Sequence, residues 1–272
     1  MAQCLDVLRG QRGDHRLDLL VVDSGSSDGT VEIARAHGAR TVEIPPAEFH
    51  YSRTLNLGIE EVEGELVLAL SAHAIPIDDG WVEAMTAPFD DPQVAGVASR
   101  QIPWPGAPFR EAYRLAETFG TTGRTFAAGD AEVLFSNAAS AIRRSVWRDE
   151  PFTLAAAEDL EWGARVAGLG WKVVYEPRAC VYHSHDESPR ALARRLIDLN
   201  RGGTLAVADR RLHHTLREAA TYLYRDLRMI AQLDEPAAAK LRHTGDAVAM
   251  AGFYLADFSK AGSTAEHRQR HA

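Results

Sequence analysis

The chain has 272 residues, 46% hydrophobic and 25% charged, which is ordinary for a folded globular protein and long enough to bury a core. Its formal charge of −8 excludes a general nucleic-acid binder, which needs a basic footprint. Two cysteines, Cys4 and Cys180, make neither a disulfide framework nor a metal-type spacing, as expected of a chain kept in a reducing, cytoplasmic compartment. The charge is uneven. From Glu187 onward 14 Lys/Arg stand against 10 Asp/Glu, a net of +4, leaving 16 against 28, or −12, on the first 186 residues. A basic tail suits an anionic surface or a solvated helical face. The apolar run Ala247–Ala256 falls far short of the roughly 20 residues of a membrane span, so a soluble or membrane-peripheral protein is expected.

Taken in order, Cys4 to Leu8 carries apolar residues at helical spacing, and Gly10 and Gly13 close that helix. Leu17 to Val22 predicts a buried strand that ends on Asp23. The Ser/Gly-rich loop behind it leads to a helix around Val31 to His37, capped by Ser27 or Asp28 and ended by Gly38. Thr41 to Ile44 predicts a second strand, stopped by Pro45-Pro46. Tyr51 to Glu61 is helical with Leu55, Ile59 and Val62 inward, and Glu65 to Leu70 is a strand running into Ser71-Ala72-His73-Ala74. This alternation predicts an α/β fold, with a mostly parallel sheet covered by helices on both faces.

Beyond it, Gly80 to Thr86 starts a helix, Val94 to Ser99 is a strand, and Pro103, Pro105 and Pro108 mark an exposed loop. Residues 109–130, with Gly120, Gly123 and Gly129, predict a mobile segment. Glu132 to Ile142 reads as strand, small-residue turn and strand. An acid pair, Glu158-Asp159, opens a helix within Phe152–Gly168. Lys172–Tyr175 and Ala179–Tyr182 predict short strands, the second followed by His183-Ser184-His185. Ser188-Pro189 opens a helical region to about Lys260, broken near Asn200 to Gly203 and at Pro236, with the last ten residues frayed.

Polar groups thus gather at strand ends, where ligands bind in open α/β sheets. Asp23 either contacts a ligand or simply closes an Asx-type turn. No GxGxxG follows it, so a Rossmann cofactor site is not expected. An acid pair at a helix start is either chemistry or a favourable charge on the helix dipole. His183 and His185, two apart along a strand, face the same way and form a candidate metal or phosphate site.

VVDSGSSDGT, the strand ending LSAHAIP, FSNAASAIRRSVW, AEDLEW and YEPRACVYHSH, in this order, resemble the family 2 GT-A glycosyltransferases, especially their rhamnosyltransferase-like branch. The similarity runs from about residue 2 to about 200. It implies a GT-A domain over residues 1–200 and a helical extension over 201–272. It also implies an inverting, single-addition transfer of a sugar from a nucleotide diphosphate donor to a hydroxyl of a saccharide or lipid-linked acceptor. The QxxRW motif of processive synthases is absent.

Site residues follow from the same resemblance. Asp23, Ser24 and Ser26 stand at the donor nucleotide. Asp159 matches the catalytic base and Glu158 its partner, while Trp162 either stacks on the acceptor or packs in the core. The family holds a divalent cation, Mn²⁺ or Mg²⁺, with an Asp-x-Asp where this chain has Ser71-Ala72-His73-Ala74 and no acid before Ile77. His73, with His183 and His185, is then an unusual ligand set suited to Mn²⁺ better than Mg²⁺. Alternatively His73 donates a hydrogen bond to the diphosphate, or is satisfied locally. Arg143-Arg144 is expected to be scaffold.

A non-catalytic GT-A scaffold that binds saccharide or a partner protein is the competing expectation, favoured by the missing Asp-x-Asp and opposed by Glu158-Asp159. A nucleotidyltransferase is not expected, because its GxGTR-like signature is lacking. Basic helices after Ser188 suggest peripheral contact with the anionic inner face of a membrane. Relatives carry a further central strand ahead of the first helix, next to the strand ending in Asp23. Its lack here predicts unpaired backbone along two neighbours and a natural start about 20 residues upstream.

Overall fold

Within Met1–His185, the first of two compact units, the strand pattern follows the apolar runs. The computed structural model describes residues 1–155, 157–185, 187–202 and 212–269. Helix α1 (Ala2–Arg9) precedes strand β1 (Leu20–Asp23), helix α2 (Thr30–Ala36) and strand β2 (Arg40–Glu43). Helix α3 (Tyr51–Glu61) leads to β3 (Leu66–Leu70) and β4 (Ile75–Pro76), then α4 (Trp81–Thr86) and β5 (Val94–Ile102). Next come α5 (Phe109–Thr118), β6 (Arg124–Phe126), β7 (Ala139–Arg143), α6 (Arg144–Asp149), α7 (Glu158–Gly168) and β8 (Lys172–Tyr182).

The expectation of a mostly parallel sheet gives way to a mixed one. The order is β3-β7-β5-β8-β4, with β6 also on β8. Within this sheet, among the described residues, only β5 and β8 pair in parallel; β7, β4 and β6 run against their neighbours. The reason is β7, which enters antiparallel between β3 and β5. Those two and β8 still point the same way, so their carboxyl ends share one edge with the start of β7.

Other boundaries moved for physical reasons. Helix α2 starts after Gly29 in the left-handed region, while Asp28 Oδ1 accepts the Thr30 N–H at 3.1 Å. The two short strands predicted over 172–182 are one strand, whose register with β5 slips between the Glu176 and Cys180 pairings. Pro177 lies in that slip and has no N–H to offer a ladder. Residues 132–136 form no strand, because Phe135 is spent on packing against the Trp162 ring, 4.8 Å between centroids. The segment 109–130 is ordered as α5 and β6, with Leu115 and Phe126 in the core.

β1 pairs with β2 in parallel, and among the described residues neither joins the six-stranded sheet. Helices α1 and α3 nevertheless reach both parts. Leu5 clusters with Leu19 and Val21, and Leu8 with Leu66, Leu68 and Leu70. On the other face Gly58 lies against Val22, and Leu55 and Ile59 belong with Val67. The sheet is therefore divided between β1 and β3.

The second unit, Asp186–Ala272, contains α8 (Pro189–Gly202), α9 (Leu212–Gln232) and α10 (Ala237–Gln269). Its core is Leu192, Ala193, Ile197, Ala219, Met250 and Tyr254, and the Tyr254 hydroxyl donates to Glu218 Oε2 at 2.8 Å. The unit begins at 186, so the boundary expected at 200 falls inside α8 instead. The predicted break near Asn200–Gly203 lies partly outside the described residues. Helix α10 continues past Lys260 to Gln269, and the last three residues of the stretch expected to fray lie outside the described residues. Among the described residues no helix is long and apolar enough to cross a membrane.

Candidate active site

β3 delivers His73 through a tight turn. Ala74 N–H donates to Ser71 O at 2.9 Å, and Ser71 N–H donates to Ala138 O at 3.0 Å, which pins the turn to the start of β7. Ser71 Oγ lies 3.0 Å from His73 Nδ1, and Trp104 Nε1 donates to His73 O at 3.4 Å. β8 delivers the other two histidines just past its last residue. His183 N–H donates to Ile102 O at 2.9 Å, extending the β5 ladder by one step.

The three rings form a near-equilateral group. Centroids are 4.7 Å apart for His73 and His183, 4.9 Å for His73 and His185, and 4.9 Å for His183 and His185. One nitrogen from each lies within 4.8 Å of the others. Burial, then repulsion from His73 and His185, pushes the His183 ring down to about 3. Burial, then His185, also lowers His73. Both rings are therefore neutral near pH 7 with a lone pair to offer, as a metal ligand must be. Among the described residues the set contains no carboxylate. Three imidazoles fit Mn²⁺ and later transition ions, and fit Mg²⁺ poorly, since Mg²⁺ demands oxygen ligands.

The acid pair opens α7 on a strained backbone. Ala157, the residue before it, holds φ 55° and ψ 30°, a left-handed conformation that costs a non-glycine residue roughly 1–2 kcal/mol. Asp159 Oδ2 accepts the Asn137 N–H at 3.1 Å, and Asp159 Oδ1 accepts the Leu160 N–H at 2.8 Å. Glu158 Oε1 faces Asn137 Nδ2 at 3.4 Å. Burial, and then the Asp159 charge, push the Glu158 carboxyl up to about 7. Burial raises Asp159 as well, against the hydrogen bonds from Asn137, Leu160 and Ser136. Two carboxyls held this close resist ionising together.

Asp23 ends β1 buried, and its Oδ2 accepts the N–H groups of Gly25 at 2.8 Å and Ser26 at 2.9 Å. The Ser26 side chain and these N–H groups hold the carboxyl below its ordinary value, so it stays anionic. Gly25 is at φ +95°, and a Cβ there would meet Pro46 Cγ at 2.7 Å. The loop through Ser24 and Ser26 is thus tightly shaped, with the Asx-type turn present. Among the described residues, no hydrogen bond, ion pair or ring contact joins Asp23, Ser24 or Ser26 to His73, His183 or the acid pair.

Trp162 does not face an acceptor. It is fully buried between Phe135 and Phe152, and its Nε1 donates to Glu150 O at 2.7 Å. Core packing wins because a Trp on the inner face of α7 fills the space over Gly96, whose Cβ would lie 2.9 Å from its ring. Arg143 is scaffold: it donates to Val94 O, Phe89 O and Asp91 O.

Three site residues escape the sequence-level prediction. Gln101 and Ser136 run from the histidines toward the acid pair: Gln101 Oε1 is 2.7 Å from His183 Nδ1, Gln101 Nε2 donates to Ser136 Oγ at 3.0 Å, and the next residue, Asn137, donates its N–H to Asp159 Oδ2. Trp104 stacks on Tyr182, centroids 4.8 Å apart, beside His73. A partial cue existed for the first: Gln101 stands two residues past Ser99, where the predicted strand ends, and the observed β5 runs on to Ile102, which puts the two polar residues on one face.

Residues 1–149 match the model of glycosyl transferase family 2. The chain is 30% identical to the O-antigen chain rhamnosyltransferase WbaN of Salmonella anatum over 190 residues, 66% of this chain and 60% of that protein. It is also 30% identical to RfbN of Salmonella typhimurium over 196 residues, 66% of this chain and 61% of that one. The chain thus spans about three-fifths of the length of these relatives. Among solved structures, Staphylococcus aureus TarS 1–349 with UDP superposes with TM-score 0.51 at 14% identity, covering 93% of this chain and 84% of that one. Glucosyl-3-phosphoglycerate synthase of Mycobacterium tuberculosis, in complex with Mn²⁺, UDP-glucose and glycerol 3-phosphate, superposes with TM-score 0.50 at 18% identity, covering 74% and 76%. The mixed sheet, the acid pair at a helix start and the match over more than half the chain together show that this protein has the GT-A fold and belongs to glycosyl transferase family 2.

Proposed function

We propose that the chain transfers a sugar, with inversion, from a nucleotide diphosphate donor to one hydroxyl of a saccharide acceptor, as in assembly of a cell-surface polysaccharide such as O-antigen. The observation that carries this is that the Glu158-Asp159 pair and three clustered imidazoles stand at one edge of the sheet, with Gln101 and the Ser136-Asn137 turn between them. The names of the 30% identical relatives point to rhamnose as the sugar. Asp23, with Ser24 and Ser26, is assigned to the donor nucleotide, where a fixed anionic carboxylate accepts hydrogen bonds from a base N–H or a ribose hydroxyl.

Asp159 is the base. It takes the acceptor hydroxyl proton as the acceptor oxygen bonds to the anomeric carbon and the nucleoside diphosphate leaves from the opposite face. Burial strengthens it: a carboxylate whose proton affinity is raised above its ordinary value is a better acceptor for an alcohol proton. Glu158, protonated up to about pH 7, leaves Asp159 without a second negative charge beside it.

His73, His183 and His185 would hold a divalent cation, Mn²⁺ by their chemistry. When bound, such a cation neutralises charge on the leaving diphosphate. The basic helices after Ser188 would rest on an anionic leaflet and present a lipid-linked acceptor on the cytoplasmic side.

Calorimetry with a panel of nucleoside diphosphates, with and without Mn²⁺, tests the donor site, and turnover by Asp159→Asn tests the base. The expected result is retained donor binding with turnover lowered about 10²–10⁴-fold. Binding to no member of the panel, or unchanged turnover in the variant, refutes the proposal.

A further inference from the structure

Gln101 belongs to neither the acid pair nor the histidine group, yet it lies between the histidines and the Ser136-Asn137 turn that meets Asp159. Its side chain is buried near the end of β5, between His183 Nδ1 at 2.7 Å and Ser136 Oγ at 3.0 Å. Ser136 Oγ also faces the Ala138 N–H at 3.5 Å, and the next residue, Asn137, donates its N–H to Asp159 Oδ2 at 3.1 Å. The Gln101 amide nitrogen is spent as the donor to Ser136 Oγ. Only the amide oxygen is left for His183. An amide oxygen can only accept, so His183 must carry its proton on Nδ1 and keep the Nε2 lone pair.

We infer that Gln101 is a positioning residue, fixing His183 in the Nδ1–H tautomer that ligates through Nε2. The inference rests on the cation reading of the histidine group above. It adds a buried amide, held by Ser136 on its other side, that sets which nitrogen of His183 is left free. Partners behind a metal-binding histidine typically change metal affinity 10–100-fold when removed.

The test uses the full chain and two variants. Gln101→Met keeps the length and removes both hydrogen bonds; Gln101→Glu restores an accepting oxygen toward His183. Two readouts apply: the ¹⁵N shifts of the His183 ring in metal-free protein, and Mn²⁺ affinity by calorimetry. The expected result is an Nδ1–H ring in the parent protein. In Gln101→Met the tautomers should mix and Mn²⁺ should bind 10–100-fold more weakly, with both recovered in Gln101→Glu. Thermal melts in EDTA establish that each variant is folded; if Gln101→Met is not, Ser136→Ala breaks the same chain one link further away. An Nε2–H ring in the parent, or a folded variant with unchanged tautomer and affinity, overturns the inference. A parent that binds no Mn²⁺ but shows an Nδ1–H ring, released in Gln101→Met, removes the cation reading and leaves the Gln101 assignment standing.

Discussion

Glu158→Gln isolates the cost of burying the acid pair. The Glu158 carboxyl rises from 4.5 to about 7 on folding, chiefly from desolvation. At about 1.4 kcal/mol per pKa unit this amounts to about 3 kcal/mol. The sign follows from proton counting. Below pH 4.5 the carboxyl is protonated in folded and unfolded chains alike and costs nothing. As pH rises from 4.5 to 7 the unfolded chain releases the proton while the folded chain keeps it. Stability should then fall by up to about 1.4 kcal/mol per pH unit, and above pH 7 the full penalty applies. Glutamine has no proton to release, is nearly isosteric, and still offers an oxygen to Asn137 Nδ2. Its stability relative to the parent should therefore climb by about 3 kcal/mol between about pH 5 and pH 8.5. Urea unfolding followed by tryptophan fluorescence, in EDTA, measures this, because all five tryptophans lie in the first unit. Parallel stability–pH curves for parent and variant would refute the reasoning.

Trp162→Ala should cost about 3–5 kcal/mol of stability as a large core truncation, whereas a residue that only stacked on acceptor would cost little; thermal unfolding distinguishes the two. The division of the sheet predicts that amides on the outer edges of β1 and β3 exchange with solvent faster than those of β5 and β7, which have partners on both sides or lie between strands. Hydrogen exchange by mass spectrometry checks this, and equal protection across Leu20–Val22 and Val97–Ser99 would contradict it.

Much of this protein was legible in the order of its residues. Apolar runs broken by Gly and Pro locate α1, β1, α3 and β3 to within a few residues, because local propensity and burial agree there. The candidate site residues at strand ends are legible for the same reason: a carboxylate or imidazole directly after a buried strand must sit at the sheet edge. The three histidines, distant in sequence, do meet. Sequence alone also left Trp162 undecided between acceptor and core, since both uses need the same residue on the same face of a helix.

Tertiary structure decided the rest. Strand direction is set by which neighbour each strand meets, so the antiparallel entry of β7 could not be read from the alternation of strands and helices. The α5 and β6 segment is held by long-range burial of Leu115 and Phe126 more than by local pattern. Gln101 and Ser136 are ordinary polar residues in sequence, 35 positions apart. Only the packing of β5 beside β8, and of the turn into β7 beside α7, makes them a bridge. A buried polar group must find its partner inside the protein, and that partner is chosen by the fold.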